Sequence, residues 1–306
     1  RPEYDQVGQA VGIFRFIVGA EDMHYTQDES YYLLDAAGEA PCVYLGIKAG
    51  TKPEEMIDAL QTAQNGGKPF PAEKFVNKIP VKKHDHVLIP AGTVHCSGAD
   101  TMVLEISATP YIFTFKLWDW GRVDLDGKPR PIHLEHGAAN IQWYRNTEWV
   151  HRNLVNAVAE VYTGENGTVV RTGLHEREFL DTFRFTTSSA LPVHRNGSVH
   201  MLNLVDGTRA VLRSKSDAFP PLELHYAETC IVPQAAGDYE IYSPDGSEVK
   251  VILAVFATEL SYMLLAANQD SGCITCFRRD EKTGRLEPEK AGISCPVPVC
   301  IVAHPV

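Results

Sequence analysis

Two short stretches bring together residue types that hold metals and move protons. In His84-Asp85-His86-Val87-Leu88-Ile89-Pro90-Ala91-Gly92-Thr93-Val94-His95, an apolar run delivers a Pro-Ala-Gly turn, and the turn presents His95 at the start of the next segment. Neutral imidazole is a good ligand for zinc or iron, and a rigid turn at a strand end fixes its direction. The plainer alternative is a histidine in a surface turn. Upstream, Glu29 stands at the mouth of the apolar run Ser30-Tyr31-Tyr32-Leu33-Leu34. A carboxylate suits zinc beside histidine, although an acid before a strand is by itself ordinarily solvated.

A third stretch, Phe115 to Pro131, is rich in cations and turn residues and contains Lys116, Arg122, Lys128 and Arg130. Arg122, Lys128 and Arg130 could grip a phosphate, although a run of charges near turns is more often a solvated face; the plain reading of Lys116 is a strand-edge lysine. His133 and His136 follow, and structural roles suit both.

These residues need a rigid frame, and the pattern around them is mostly that of strands. Ser30–Asp35 and Val43–Ile47 read as strands on either side of the turn residues Gly38–Pro41. Thr51, Pro53, Glu54 and Glu55 open a helix as N-cap, first-turn proline and capping-box acid. Met56, Ile57, Leu60 and Ala63 share its apolar face, and Asn65-Gly66-Gly67 ends it. Strands are then expected over Phe75–Val81, His86–Ile89, Met102–Ile106 and Ile112–Trp118, with a helix somewhere in Gln142–Tyr162. A second strand-rich block runs from Ser198 to Val255. Leu88-Ile89-Pro90-Ala91-Gly92 has a counterpart in Ile231-Val232-Pro233-Gln234-Ala235-Ala236-Gly237, so two similar β units are expected.

The bulk properties narrow the function classes. The chain has 306 residues and a formal net charge of -11, which argues against a nucleic-acid partner while leaving room for a locally basic pocket. No apolar run approaches the roughly 20 residues that span a bilayer, so no membrane partner is expected. Of the 7 cysteines, Cys42, Cys96 and Cys230 lie singly in apolar segments, a usage that suits the cytoplasm better than a disulfide scaffold.

The phrase His24-Tyr25-Thr26-Gln27-Asp28-Glu29-Ser30-Tyr31-Tyr32, the segment Val76-Asn77-Lys78-Ile79-Pro80 through His95, and Phe115-Lys116-Leu117-Trp118-Asp119-Trp120-Gly121-Arg122 through Pro131 occur in that order. Together they resemble the signatures of class I mannose-6-phosphate isomerase, over residues 23 to about 255. The resemblance implies a mainly β bicupin, that is, tandem cupin jelly rolls with a few helices. It divides the chain into an unassigned segment 1–22, a catalytic cupin 23–140, a connector 141–195 with a helix, a second cupin-like unit 196–256 and a tail 257–306. It also implies zinc as cofactor, a phosphorylated sugar as substrate, and interconversion of mannose 6-phosphate and fructose 6-phosphate through a cis-enediol. Glu29 and His95 map onto metal ligands. Lys116 stands where an arginine is often found and would stabilise enediolate charge. Arg122, Lys128 and Arg130 would hold the phosphate. The Gln-x-His-Pro motif that supplies two further ligands has no match; its nearest phrase is Gln9-Ala10-Val11-Gly12, and His24 is a conceivable substitute. A bicupin that binds a sugar phosphate or a partner without turnover is therefore the alternative. The sequence is compatible with a homo-oligomer.

Residues Leu264–Cys300 differ in character. Leu264-Leu265-Ala266-Ala267-Asn268, Ile274-Thr275-Cys276-Phe277-Arg278-Arg279-Asp280 and Thr283-Gly284-Arg285-Leu286 resemble the last strands of a seven-bladed propeller lactonase of the 6-phosphogluconolactonase type. One blade cannot bury its own face, so a hairpin packed on the body or on a partner chain is expected, without lactonase catalytic residues. Cys273, Cys276, Cys295 and Cys300 also admit a zinc reading, against which Cys273 and Cys276 would face opposite sides of one strand.

Overall fold

The computed structural model describes backbone and side chains for residues 28–107, 115–128, 130, 132–173, 180–195 and 197–255, and the backbone alone of residue 256 and of the strands beyond it. Two compact units divide the chain, residues 1–157 and 158–306.

The first unit holds two three-stranded antiparallel sheets. One is built from β1 (Glu29–Ala36), β4 (His86–Ile89) and β6 (Thr101–Ser107), with β1 central; the other from β2 (Cys42–Ile47), β3 (Val76–Pro80) and β5 (His95–Ser97), with β2 central. The central strands carry apolar runs rather than polar–apolar alternation. Accordingly, the first six residues of β1 and all of β2 are buried, as for strands covered on both faces.

Helix α1 (Pro53–Gln64) buries Met56 and Leu60, as its periodicity predicts, and Asn65 follows it as C-cap. Its start differs from expectation. Lys52 occupies the N-cap without a side-chain bond, because Pro53 at the first position holds residue 52 extended, and the Thr51 hydroxyl lies 3.4 Å from the carbonyl oxygen of Phe75 instead. Short helices α2 (Ala72–Phe75), α3 (Leu134–Asn140) and α4 (Thr147–Asn153) complete the unit. The Asn146 side chain caps α4 by accepting from Trp149 N at 3.2 Å. Among the described residues, no helix is long and apolar enough to cross a membrane.

Gly46 lets β2 pass close to α4. Its φ is +67°, and a Cβ there would collide with the Val150 side chain and approach the Arg145 carbonyl oxygen to 2.8 Å. Gly46→Ala is therefore expected to cost about 2–4 kcal/mol through backbone strain and overpacking together, measurable as a lowered midpoint in urea unfolding.

The second unit is a sandwich. Its six-stranded sheet has the order β14 (Thr229–Val232), β11 (His200–Asp206), β16 (Val249–Phe256), β9 (Leu180–Thr187), β8 (Gly167–Arg171), β7 (Ala159–Gly164). The four-stranded sheet runs β10 (Ala190–Val193), β15 (Tyr239–Tyr242), β12 (Arg209–Ser214), β13 (Leu222–His225). Leu202, Leu204, Val251 and Leu253 of the first sheet and Leu191, Val193, Leu212 and Ile241 of the second form one apolar core. Residues 141–195 differ from the connector the sequence suggests. Among the described residues there, Thr147–Asn153 is helix, while β7 to β10 are strands. Val169, Phe185, Leu191 and Val193 give the reason, since each is buried in the second unit's core.

The two units repeat one another in register. In the first, Glu29 pairs with Ile89 on one side and Ser107 on the other, with an irregularity between Leu33 and Asp35. In the second, His200 pairs with Val232 and Val255, with an irregularity between Leu204 and Asp206. Ile89 and Val232 each precede the proline of the matching turns. Glu29 and His200 thus occupy the same place in two copies of one motif, the tandem cupin arrangement expected from the sequence.

The tail continues as backbone strands β17 (Met263–Asn268), β18 (Cys273–Arg279), β19 (Leu286–Pro288), β20 (Ile293–Ser294) and β21 (Val302–Ala303). They form a sheet ordered β19-β18-β17-β21, with β20 also paired to β18. The cysteine-based zinc reading concerns side chains outside the described residues.

Candidate active site

The Pro-Ala-Gly turn between β4 and β5 is held from several directions. Gly92 adopts φ +81°, and a Cβ there would meet the Asn140 carbonyl oxygen at 2.5 Å, so glycine alone fits. The Asp28 carboxylate accepts from Ala91 N at 2.5 Å, the Gly92 carbonyl accepts from Gln142 N at 2.9 Å, and Arg145 reaches the turn from behind.

This turn delivers His95 to Glu29. His95 Nε2 lies 2.5 Å from Glu29 Oε1, and Glu29 is 4% exposed. The other ring nitrogen, Nδ1, is 2.8 Å from the Thr93 carbonyl oxygen. A carbonyl can only accept, so Nδ1 carries a proton and Nε2 faces the carboxylate. Burial opposes the imidazolium, and the hydrogen bond and charge of Glu29, with the Thr93 carbonyl, outweigh it; the His95 pKa stands above its ordinary value. Nearby, the Ser107 hydroxyl lies 3.2 Å from Glu29 Oε2 and 2.9 Å from Glu105 Oε1. Burial, and then the Glu29 charge, push the Glu105 carboxyl above its usual range.

A carboxylate oxygen and an imidazole nitrogen 2.5 Å apart share a proton. Imidazole with carboxylate is a donor set that zinc accepts. Zinc ordinarily takes three or more protein donors, and among the described residues no group of three histidine, cysteine, aspartate or glutamate side chains could hold a metal. His24 and Gln9-Ala10-Val11-Gly12 lie outside the described residues.

Glu29 and His95 line a cavity of about 230 Å³ that Lys116 also lines. Its walls include Tyr44, Met56, Phe70, Trp118 and Trp120, together with the turn Pro90–Cys96. Trp120 is 49% exposed, and its ring centroid lies 5.6 Å from that of Tyr44. Burial pushes the Cys96 thiol up to about 11, so this wall residue is no ready nucleophile. The stretch Phe115–Trp118 is irregular rather than strand, and the rest of the strand expected over Ile112–Trp118 lies outside the described residues. The backbone of Lys116 is gripped twice by His133. Lys116 N is 3.2 Å from His133 Nδ1, and His133 N donates to the Lys116 carbonyl at 2.7 Å. Burial, His136 and Lys116 lower the His133 pKa, which favours the neutral ring that this acceptor role requires.

Arg122, Lys128 and Arg130 do not line the cavity. Arg122 and Arg130 instead turn to Asp119, at 3.9 and 3.3 Å, and Lys116 Nζ lies 3.8 Å from the same carboxylate. Three cations thus share one anion, leaving a locally positive spot that includes a cavity residue. Lys128 stands in a turn where its backbone N donates to Asp124 Oδ1 at 2.9 Å. Sequence reasoning passed over Asp28, Asp119 and Arg145. Asp28 could have been singled out as the neighbour of Glu29, whereas Arg145 is 55 residues from the carbonyl of Pro90 that it holds, with no local signal.

The corresponding place in the second unit is chemically different. His200 Nδ1 lies 2.8 Å from the Tyr239 hydroxyl. Burial, and then Arg195, hold its pKa down to about 4. A neutral histidine–tyrosine pair there takes the place of the histidine–carboxylate pair.

Comparison with known proteins agrees with this picture. Mannose-6-phosphate isomerase ManA of Bacillus subtilis is 30% identical over 114 residues, 37% of this chain and 33% of that protein. The mannose-6-phosphate isomerase of Streptococcus mutans is 31% identical over 109 residues, 35% of this chain and 31% of that protein. The chain thus spans about a third of the length of these curated relatives. Among solved structures, the mannose 6-phosphate isomerase from Bacillus subtilis superposes with a TM-score of 0.57 at 16% identity, covering 74% of this chain and 64% of that one. A phosphomannose isomerase from Salmonella typhimurium gives 0.51 at 11% identity, with 81% and 73% covered. Residues 257–303 match the family described as lactonase, 7-bladed beta-propeller. In sequence over about a third of its length, and in fold over about three quarters of it, the chain resembles the mannose-6-phosphate isomerases, and its C-terminal segment resembles the lactonase propeller.

Proposed function

We propose that the chain is an aldose–ketose isomerase that interconverts mannose 6-phosphate and fructose 6-phosphate in the cytoplasm, with the cupin of residues 23–140 as the catalytic unit. The observation that carries this reading is the convergence of Glu29, His95 and Lys116 on one cavity of about 230 Å³. Three stretches far apart in sequence meet there, in a fold resembling that of mannose-6-phosphate isomerases.

Glu29 and His95 are the residues that would hold zinc, and the bound ion would supply Lewis-acid polarisation of the sugar oxygens. Lys116, anchored through its backbone by His133, places a positive charge in the cavity where an enediolate would develop, and such charge lowers the barrier most when fixed in advance. The excess of cation around Asp119 provides for the phosphate. Arg122 and Arg130 would exchange an aspartate for a phosphate oxygen at small cost, because their side chains are 65% and 42% exposed. The geometry gives Lys128 no comparable part. The aromatic wall, with Tyr44 beside Trp120, excludes water from the sugar and offers apolar surface to its C–H face.

One observation favours a second reading. The described residues bring together two metal donors rather than three, which suits a bicupin that binds a sugar phosphate or a partner without turnover. The lactonase-like tail contributes no catalytic residue in either reading. Metal analysis and a mannose 6-phosphate assay on the same purified sample separate the two. About one zinc per chain, with turnover that a chelator abolishes, is the expected result. A chain that binds no metal and shows no turnover with added zinc would be the non-catalytic bicupin.

A further inference from the structure

We propose that Arg145 is a positioning residue for this site: its buried guanidinium clamps the turn Pro90–Thr93 and thereby holds His95 opposite Glu29. The inference rests on Glu29 and His95 being the metal-holding pair.

Arg145 is 8% exposed. One nitrogen, Nη1, lies 2.7 Å from the Pro90 carbonyl oxygen, 2.6 Å from the Ala91 carbonyl oxygen and 2.6 Å from Thr93 Oγ1. The Thr93 hydroxyl in turn donates to the Pro90 carbonyl at 2.5 Å. The Thr93 carbonyl is the group that takes the Nδ1 proton of His95, at 2.8 Å. A chain of short bonds therefore runs from the guanidinium through one residue to the imidazole, and it sets both the direction of the ring and its tautomer. On its other side the turn is held by Asp28, the neighbour of Glu29. The clamp and the carboxylate are thus braced through the same four residues.

The electrostatics show that packing alone does not explain the residue. The described residues place no carboxylate within ion-pair distance of Arg145, and its Nε is buried without a hydrogen-bond partner among them. Its guanidinium carbon lies 5.6 and 5.5 Å from the ring centroids of Tyr144 and Trp149, a weaker compensation than a carboxylate. Burying a cation this way costs free energy that a methionine of similar length would avoid. What methionine cannot do is bind two adjacent carbonyls and a hydroxyl at once. A guanidinium can, with the two hydrogens of Nη1 shared among the three acceptors.

The test uses the full-length chain and the variants R145M and R145K. Three quantities are read: zinc affinity by competition with a chromophoric chelator, the NMR signal of the His95 Nδ1 proton, and kcat and KM for mannose 6-phosphate. R145M is expected to bind zinc about 10- to 100-fold more weakly and to lose kcat by a similar factor with KM nearly unchanged, while the Nδ1 proton signal broadens or disappears. A folded R145M with wild-type zinc affinity and an unaltered proton signal would overturn the proposal. If R145M does not fold, R145K decides: weaker zinc binding at an unchanged melting temperature supports the clamp, and wild-type affinity with an unaltered proton signal refutes it. Failure of the isomerase reading is distinguishable. It would appear as a wild-type chain without zinc or turnover, and the His95 proton signal in the variants would still decide whether Arg145 sets the ring.

Discussion

Glu29→Gln is expected to reduce mannose 6-phosphate turnover by about 1,000-fold or more, with little change in melting temperature. Glutamine keeps the shape of the side chain and can still hydrogen-bond Ser107 and His95, so the buried position is not left unsatisfied. What is lost is the negative charge that faces His95 Nε2 at 2.5 Å. Without it, the charge-assisted bond to His95 is lost, and an amide is a far poorer zinc ligand than a carboxylate. Turnover and zinc content should fall together, measured on one preparation against a thermal melt. A variant that retained more than about a tenth of the wild-type rate would remove Glu29 from the site, since loss of a metal ligand or an essential charge is not so mild.

How far the sequence revealed this site differs from residue to residue, for physical reasons. His95 was legible because a single contiguous phrase makes the strand, the turn and the histidine, and local chemistry, a proline and a left-handed glycine, builds the turn. Glu29 was legible through the apolar run that follows it. Strands buried on both faces leave such runs, and β1 is one. That Glu29 meets His95 was not visible locally, because strand register sets it: Glu29 pairs with Ile89, six positions before the histidine. The second unit was legible from Ser198 onward, where turns are frequent and strands short. Its earlier strands escaped because β7 is exposed throughout and β8 and β9 carry threonine and arginine among their apolar positions, so neither periodicity dominated. Arg145 escaped for a different reason. A buried arginine is recognised by its acceptors, which here are main-chain carbonyls of a distant turn, and main-chain atoms leave no trace in side-chain pattern.

Lys116→Met carries the second large effect, a loss of about 100- to 1,000-fold in kcat. Methionine preserves the apolar stem that borders the cavity, and the main-chain bonds to His133 do not depend on the side chain, so the loop should keep its place. The ammonium alone is removed. Lys116 Nζ stands 3.8 Å from Asp119, which also attracts Arg122 and Arg130. This shared aspartate makes the kinetic pattern diagnostic. If the lysine charge acts on the enediolate, kcat falls while KM for mannose 6-phosphate stays within about twofold. If it acts on the phosphate, KM rises and kcat is spared, because the bond is then made equally in ground and transition states. Lys116→Arg separates the two further. The longer fork can still reach a phosphate in bidentate fashion, whereas a cation placed to meet one oxygen in the cavity would be displaced. Low kcat in both variants therefore assigns Lys116 to the reacting carbons. Rescue by arginine assigns it, with Arg122 and Arg130, to the phosphate.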